Sequence, residues 1–378
     1  MKLTGNIVSG NEFFFGEIAW ENGKITSITS KDVPVADADL ILPGFIDIHL
    51  HGLGNYSTMT PEDVCGMAEF APACGITGLL PTFASAPEDF LLKMLAAVRE
   101  ICACPPQGAV IAGSHLEGPF LSHTFKGGMH PEMLRLPDIN EVNRWLEAAQ
   151  GTLKLVTIAP ELPGAKEVIR LLASQNITVS AGHSACPPEL FPQCVEWGVS
   201  QVCHLFDAYD IPENPEGVRS PALTDLALID DRVMKELIVD GLHVPPELVI
   251  LTRRAAGAEH ITAISDAMQG AGLKEGRFEE LGVWYTIKDG DVARRESDNA
   301  IVGSSLGLNR GFYNMTRRFG FSEVEAVTSL SKNPARICGI GDHTGTLLPG
   351  FDADIAQLAP DHLTVRQCFV RGICKYQS

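Results

Sequence analysis

With 378 residues and 45% hydrophobic side chains the chain can bury a large core, yet no stretch reaches the roughly 18 uninterrupted apolar residues that would cross a membrane. Acidic residues number 47 against 29 basic ones, a net charge of −18, which argues against nucleic acid as a partner. The same charge repels an anionic substrate unless local basic groups offset it. The ten cysteines form no CxxC pair, as expected of reduced, mostly buried thiols in a cytoplasmic enzyme. Met1 to Gly5 lead into alternating residues with no apolar segment of a signal peptide.

Residues 1–40 read as a small β unit. Residues 3–8, 12–20 and 24–28 are short strands, and Asn22-Gly23 is a hairpin turn of the primed type. Eight alternations of apolar run and helix-like segment follow. The runs are 45–51, 78–82, 110–117, 153–159, 177–183, 201–204, 236–240 and 261–266; amphipathic segments such as 88–102, 140–150, 165–174 and 246–255 lie between them. Continuous apolar strands alternating with helices predict a parallel sheet, and eight of them predict a closed (β/α)8 barrel rather than an open sheet. An insertion, residues 270–295, carries a strand at 283–287 and a turn at Asp289-Gly290. Helices at 306–319 and 322–330 come next. Asn333-Pro334 then opens a β tail that pairs with the start of the chain. The predicted organisation is a small β-sandwich from 1–43 with 344–378, and a barrel from 44–343.

Polar residues sit where the apolar runs end. In the first strand Asp47, His49 and His51 share one face, by the period of two, with Ile46, Ile48 and Leu50 opposite. Glu117, His183, His204 and Asp266 close the third, fifth, sixth and eighth runs, and His243 follows the seventh. All strand C-termini of such a barrel open on one face, so these side chains converge. A single histidine after a strand is usually structural; this many, each ending a different strand, are not explained that way.

Imidazole and carboxylate suit a borderline divalent ion, and such an ion brings the pKa of water from about 15.7 towards 7. Asp266 is placed to take that proton and pass it to a leaving amine. His243 is placed to polarise a carbonyl or hold the substrate. The chemistry so predicted is metal-assisted hydrolysis of an amide or similar carbonyl bond.

The segments Pro-Gly-Phe-Ile-Asp-Ile-His-Leu-His at 43–51, His-Leu-Glu-Gly-Pro-Phe at 115–120, Thr-Ile-Ala-Pro-Glu at 157–161, Ser-Ala-Gly-His-Ser at 180–184, Asp-Gly-Leu-His-Val at 240–244 and Ser-Asp-Ala at 265–267 follow the order found in the amidohydrolase superfamily. The chain most resembles the N-acetylglucosamine-6-phosphate deacetylases, over nearly its whole length. The resemblance implies a barrel plus small β-sandwich, usually dimeric. It implies that Glu117, His183 and His204 hold the main metal. His49 and His51 then help hold a second, with Glu117 bridging. It also implies that Asp266 is general base and acid and that His243 contacts substrate. The metal remains open between one and two ions, with zinc and iron the leading candidates.

Three departures from that family bear on specificity. Its Lys-Gly-(Ala or Thr)-His-Asn-Pro loop reads Lys-Gly-Gly-Met-His-Pro at 126–131, placing Met129 in the histidine register and His130 one position later. Its Leu-aromatic-Asn-Ala-Met segment reads Leu-Phe-Asp-Ala-Tyr at 205–209. The arginine it uses on phosphate falls at or near Pro215, with Arg219 the nearest replacement. Candidate substrate contacts are therefore Lys126, His130, Asp207, Ala208, Arg219 and His243. Like charges about 4 Å apart cost on the order of 1 kcal/mol in water and more inside a protein, so Asp207 opposes a phosphate unless Lys126 or Arg219 intervenes. The leading expectation is deacetylation of a phosphorylated N-acetyl amino sugar. A different, unphosphorylated N-acyl substrate keeps the same chemistry, and a metal-binding barrel without catalysis is the reading from another class.

Overall fold

The computed structural model describes residues 1–378 except 211–216, 218, 281 and 289. Pro215 and Asp289 therefore lie outside the described residues. Among the described residues eight parallel strands stand in chain order: Phe45–Leu50, Ile76–Phe83, Ser114–Glu117, Leu153–Ile158, Thr178–Ala181, Val199–Val202, Met234–Ile238 and Ile261–Ile264. The ring closes where the first strand meets the chain leaving the eighth. There Asp266 N donates to His49 O over 2.9 Å and His51 N to Ala267 O over 2.7 Å. These strands are continuous apolar runs because both faces are covered, helices outside and packed side chains within. The predicted third strand, 110–117, is split into Val110–Ile111 and Ser114–Glu117 at Gly113, whose φ of 144° breaks the run.

Ile46, Ile48, Leu80, Leu155, Ile238 and Ile264 form one buried cluster with Ala335 and Cys338. They come from strands on opposite sides of the ring, so they meet inside it. Ala335 belongs to helix Asn333–Ile337, which runs on from Thr328–Lys332. Asn333-Pro334 thus starts a plug rather than the β tail expected there. The backbone is helical on both sides of the junction, Lys332 at φ −67°, ψ −48° and Asn333 at φ −68°, ψ −48°, so the proline follows a widened π-helical turn rather than interrupting a regular α-helix.

The chain ends build one seven-stranded sheet. Its order is Ile373–Gln377, Val365–Val370, Ile355–Leu358, Leu40–Pro43, Lys2–Ser9, Glu12–Glu21, Lys24–Asp32. At about 4.8 Å per strand, Trp20 and Phe369 would be nearly 20 Å apart on a flat sheet. Their rings instead meet edge-on at 5.0 Å. The sheet is curled into two facing layers around Ile7, Ile18, Ile25, Ile41 and Ile355, the sandwich expected. Asn22 and Gly23 both have positive φ, 51° and 79°, as the primed hairpin turn demands.

The insertion after the eighth strand is larger than the single strand expected. Glu275–Glu280, Val283–Lys288, Val292–Arg295 and Ile301–Ser304 form an antiparallel sheet around Tyr285, Ile287, Ala293 and Met268. This sheet walls one side of the barrel mouth.

One buried histidine ties stability to pH. His362 is 5% exposed, stacks on Phe312 at 5.4 Å and shares a 3.1 Å hydrogen bond with Thr316. Burial, with Arg317 nearby, brings its pKa down to about 4. The unfolded chain takes a proton at about 6.5 that the native fold refuses until about 4. This contribution is therefore complete above pH 6.5 and is lost as pH falls through that window. Thermal melts should show wild type losing stability from pH 7 to pH 5 more steeply than His362→Phe. A gap between the two that does not change with pH would contradict this.

Candidate active site

Glu117 ends the third strand, and four imidazoles point at its carboxylate. His183 Nε2 and His204 Nε2 lie 3.0 and 3.1 Å from Oε1 and 3.1 Å from each other. His51 Nε2 is 3.1 Å from Oε2, and His49 Nε2 is 3.4 Å from Oε1. Asp266 Oδ1 sits 3.5 Å from both His49 Nε2 and His51 Nε2. Residues from the first, third, fifth, sixth and eighth strand ends are thus gathered in one cluster, as the barrel topology requires.

Each ring is held from behind. His183 Nδ1 donates to Phe125 O at 2.8 Å, His204 Nδ1 to Asp207 O at 3.2 Å, and His51 Nδ1 to Thr82 O at 3.1 Å. His49 Nδ1 donates to Glu236 Oε1 at 2.8 Å. A proton fixed on Nδ1 leaves Nε2 as a bare lone pair facing the centre, the tautomer that binds metals.

The residues fit a divalent cation. Bonds of 2.0–2.1 Å in a tetrahedral site put donors roughly 3.3 Å apart, and the triangle of His183, His204 and Glu117 donors has edges of 3.0 to 3.1 Å. His49 Nε2 is buried and has no hydrogen-bond partner, a loss that a cation beside it would make good. His49, His51 and Glu117 make a second donor set that shares the same carboxylate.

The electrostatics agree. Burial raises the pKa of the Glu117 carboxyl, but His49, His183 and His204 outweigh it and hold the group ionised well below the usual range. Asp266 is likewise depressed, with His49 and His51 overcoming burial. Burial lowers His51, yet Asp266 and Glu117 bring it up to about 9, the affinity for positive charge that a metal would satisfy instead.

His183, His204 and Asp266 have φ of 48°, 23° and 49°. A side chain in the left-handed region costs of order 1–3 kcal/mol. Three such residues in one cluster mark a geometry kept for the placement of side chains rather than for local comfort.

The cluster opens into a cavity of about 260 Å3. Of the expected substrate contacts, His130, Asp207 and His243 line it, and Met129 does as well. His243 Nδ1 donates to Asp240 Oδ2 at 2.6 Å, which leaves Nε2 for a ligand. Asp240 raises the imidazole pKa against the effect of burial.

Three expected contacts lie elsewhere. Lys126 Nζ turns back onto its own loop, 3.3 Å from Gly127 O and 3.2 Å from Met129 O. Arg219 is exposed and paired with Asp225 at 2.9 Å. Ala208 is not in the wall; its carbonyl accepts from Ser184 N at 3.2 Å. The Asp207 amide is also engaged, donating to His204 O over 2.9 Å. Among the described residues the wall contains no lysine or arginine, whereas Asp207 and Glu280 are both in it.

Two residues escaped the sequence reading. Glu236, fully buried mid-strand, holds His49 and also accepts from Gln201 and from His204 N. A carboxylate inside an apolar run was the available signal. Glu280 reaches the cavity from the insertion, where nothing in the sequence pointed to it. Asp47, read as sharing a face with His49 and His51, instead accepts from Ser265 Oγ at 2.6 Å. The strand's register shifts between Asp47 and Leu50, which breaks the period of two.

Glu236 positions His49 without touching the cavity. Outer-shell partners of ligating histidines are commonly worth 10–100-fold in metal affinity. Glu236→Gln should weaken metal binding by about tenfold or more, read by competition with a coloured chelator. Unchanged metal affinity would remove Glu236 from the site.

The amidohydrolase family model matches residues 40–374. The chain is 32% identical to N-acetylgalactosamine-6-phosphate deacetylase of Escherichia coli over 93% of this chain and 92% of that one. It is also 32% identical to N-acetylglucosamine-6-phosphate deacetylase of Bacillus subtilis, over 94% and 92%. The Thermotoga maritima N-acetylglucosamine-6-phosphate deacetylase superposes with a TM-score of 0.89 at 29% identity, covering all of both chains. A Mycobacterium smegmatis variant in complex with N-acetyl-D-glucosamine-6-phosphate gives 0.89 at 28% identity, over 100% of this chain and 99% of that one. With its barrel, its strand-end cluster and this match over most of its length, the chain belongs to the amidohydrolase family.

Proposed function

We propose that the protein removes the acetyl group of N-acetylglucosamine-6-phosphate, or of a closely related N-acetylhexosamine phosphate, releasing acetate and the amino sugar. The carrying observation is the convergence of His49, His51, His183 and His204 on Glu117 with Asp266 beside them. The names of the relatives support the substrate. We further assign zinc or iron as the metal, one or two ions per subunit, and a cytoplasmic homodimer with residues 1–43 and 344–378 as its small domain.

His183, His204 and Glu117 would hold one ion and His49, His51 and Glu117 a second. A divalent ion there supplies acidified water at neutral pH and polarises a carbonyl. Asp266, ionised well below the usual carboxylate range, takes a proton as water oxygen adds to the acetyl carbon. It returns that proton to nitrogen as the carbon–nitrogen bond breaks. His243, its Nδ1 fixed by Asp240, presents Nε2 to the substrate and holds it in register.

A second reading has its own support. With no lysine or arginine in the described wall and Asp207 within it, the cavity also suits an N-acyl compound without phosphate. Acetate release from N-acetylglucosamine with and without the 6-phosphate separates the two. Dependence on phosphate upholds the first reading, and equal rates uphold the second. General acid–base groups contribute 10²–10⁴-fold, so Asp266→Asn should lose about that much in kcat with metal content unchanged. Activity within a few-fold of wild type would take Asp266 out of the proton path.

A further inference from the structure

Strand Glu275–Glu280 alternates exposed residues with partly buried ones. Gly276, Phe278 and Glu280 share the inner face, where Phe278 packs beside Tyr285, with 6.1 Å between ring centroids. Glu279, on the outer face, accepts from the Gly282 amide at 2.5 Å. Glu280 has no such partner. Its Oε2 is buried and bonds to nothing, and the side chain lines the active cavity beside Val283 and Tyr285. Burial raises its pKa, opposed by the nearby His51.

A carboxylate on an apolar strand face, desolvated and unpaired, weakens the fold. Such a local conflict is expected where a ligand completes the bonding. No lysine or arginine is available for it in the described wall, and His51 is turned to Glu117 and Asp266. Glu117, held by four imidazoles, already serves the metal centre. The donors left to satisfy Glu280 are neutral O–H groups brought in by a ligand. A carboxylate accepts two of them at once, the pairing that neighbouring hydroxyls of a sugar ring provide.

We propose that Glu280 is a specificity residue that accepts hydrogen bonds from ring hydroxyls of the amino sugar, pinning the ring against the insertion sheet. This rests on the amino-sugar reading above, whether or not the sugar is phosphorylated. The insertion thereby becomes the part of the chain that recognises the sugar, while the barrel ends carry the chemistry.

The test is calorimetric titration of the zinc-loaded Asp266→Asn protein, in which turnover is suppressed, with Glu280 as in wild type, Glu280→Gln or Glu280→Ala, using N-acetylglucosamine and its 6-phosphate, alongside metal content and thermal melts. Glu280→Ala should bind the sugar that the Glu280 protein binds about 10- to 100-fold more weakly, the range of a hydrogen bond to a charged group. Glu280→Gln, which keeps one acceptor, should lose less. Metal content should be unchanged and both variants should melt at or above the temperature of the Glu280 protein, since an unpaired buried charge is removed. A merely structural role would lower the melting temperature and a metal-binding role would lower metal content; either overturns the proposal, as do affinities equal to that of the Glu280 protein or a Glu280 protein that binds neither sugar. Tight binding of the sugar together with no acetate release from protein whose Asp266 is intact would instead overturn the deacetylase reading and leave Glu280 in its place.

Discussion

Everything in the barrel mouth depends on a single carboxylate. Glu117 is buried, ionised and approached by four imidazole nitrogens within 3.4 Å. An anion taken out of water at this depth is costly unless positive charge answers it. Imidazoles can answer it only by taking up protons of their own, as the raised pKa of His51 shows; with protons on Nδ1 alone they turn lone pairs inward, where they repel one another. A divalent cation resolves both conflicts at once. Stability and chemistry are thus tied to the same bound ion.

The fold exists to hold that arrangement. Closure between His49 and Asp266 brings the first and eighth strand ends together. Three left-handed residues, His183, His204 and Asp266, aim side chains that ordinary strand ends would splay apart. Behind them Glu236 ties His49 to Gln201 and to the His204 amide, so neighbouring ligands are not independent. The insertion sheet then narrows the mouth with Val283, Tyr285 and Glu280. Chemistry sits on the rigid strands and recognition on the added sheet, the division that lets one barrel serve many substrates.

Much of this was legible in the chain. The eight strands are apolar runs bounded by helices, and period and length identify them. The residues of the cluster stand at the ends of those runs, where topology rather than local sequence brings them together. Side-chain partners were not legible. Lys126 and Arg219 are basic residues at plausible positions, but one folds onto its own loop carbonyls and the other onto Asp225. Asp47 followed the strand period on paper and left it at a register shift that no residue type announces. Asn333-Pro334 reads as a break, but helical backbone runs through it from the π-helical turn Thr328–Lys332. Glu280 was hidden in a polar hairpin whose inner face is defined only once the sheet docks.

The most direct test is to strip the protein of metal, return zinc in measured equivalents, and follow acetate release from N-acetylglucosamine and its 6-phosphate at each step. Release should be absent from the metal-free protein, rise in proportion to bound zinc, and level off at one or two equivalents. Full-rate acetate release from the metal-free protein would contradict a metal-dependent centre at Glu117.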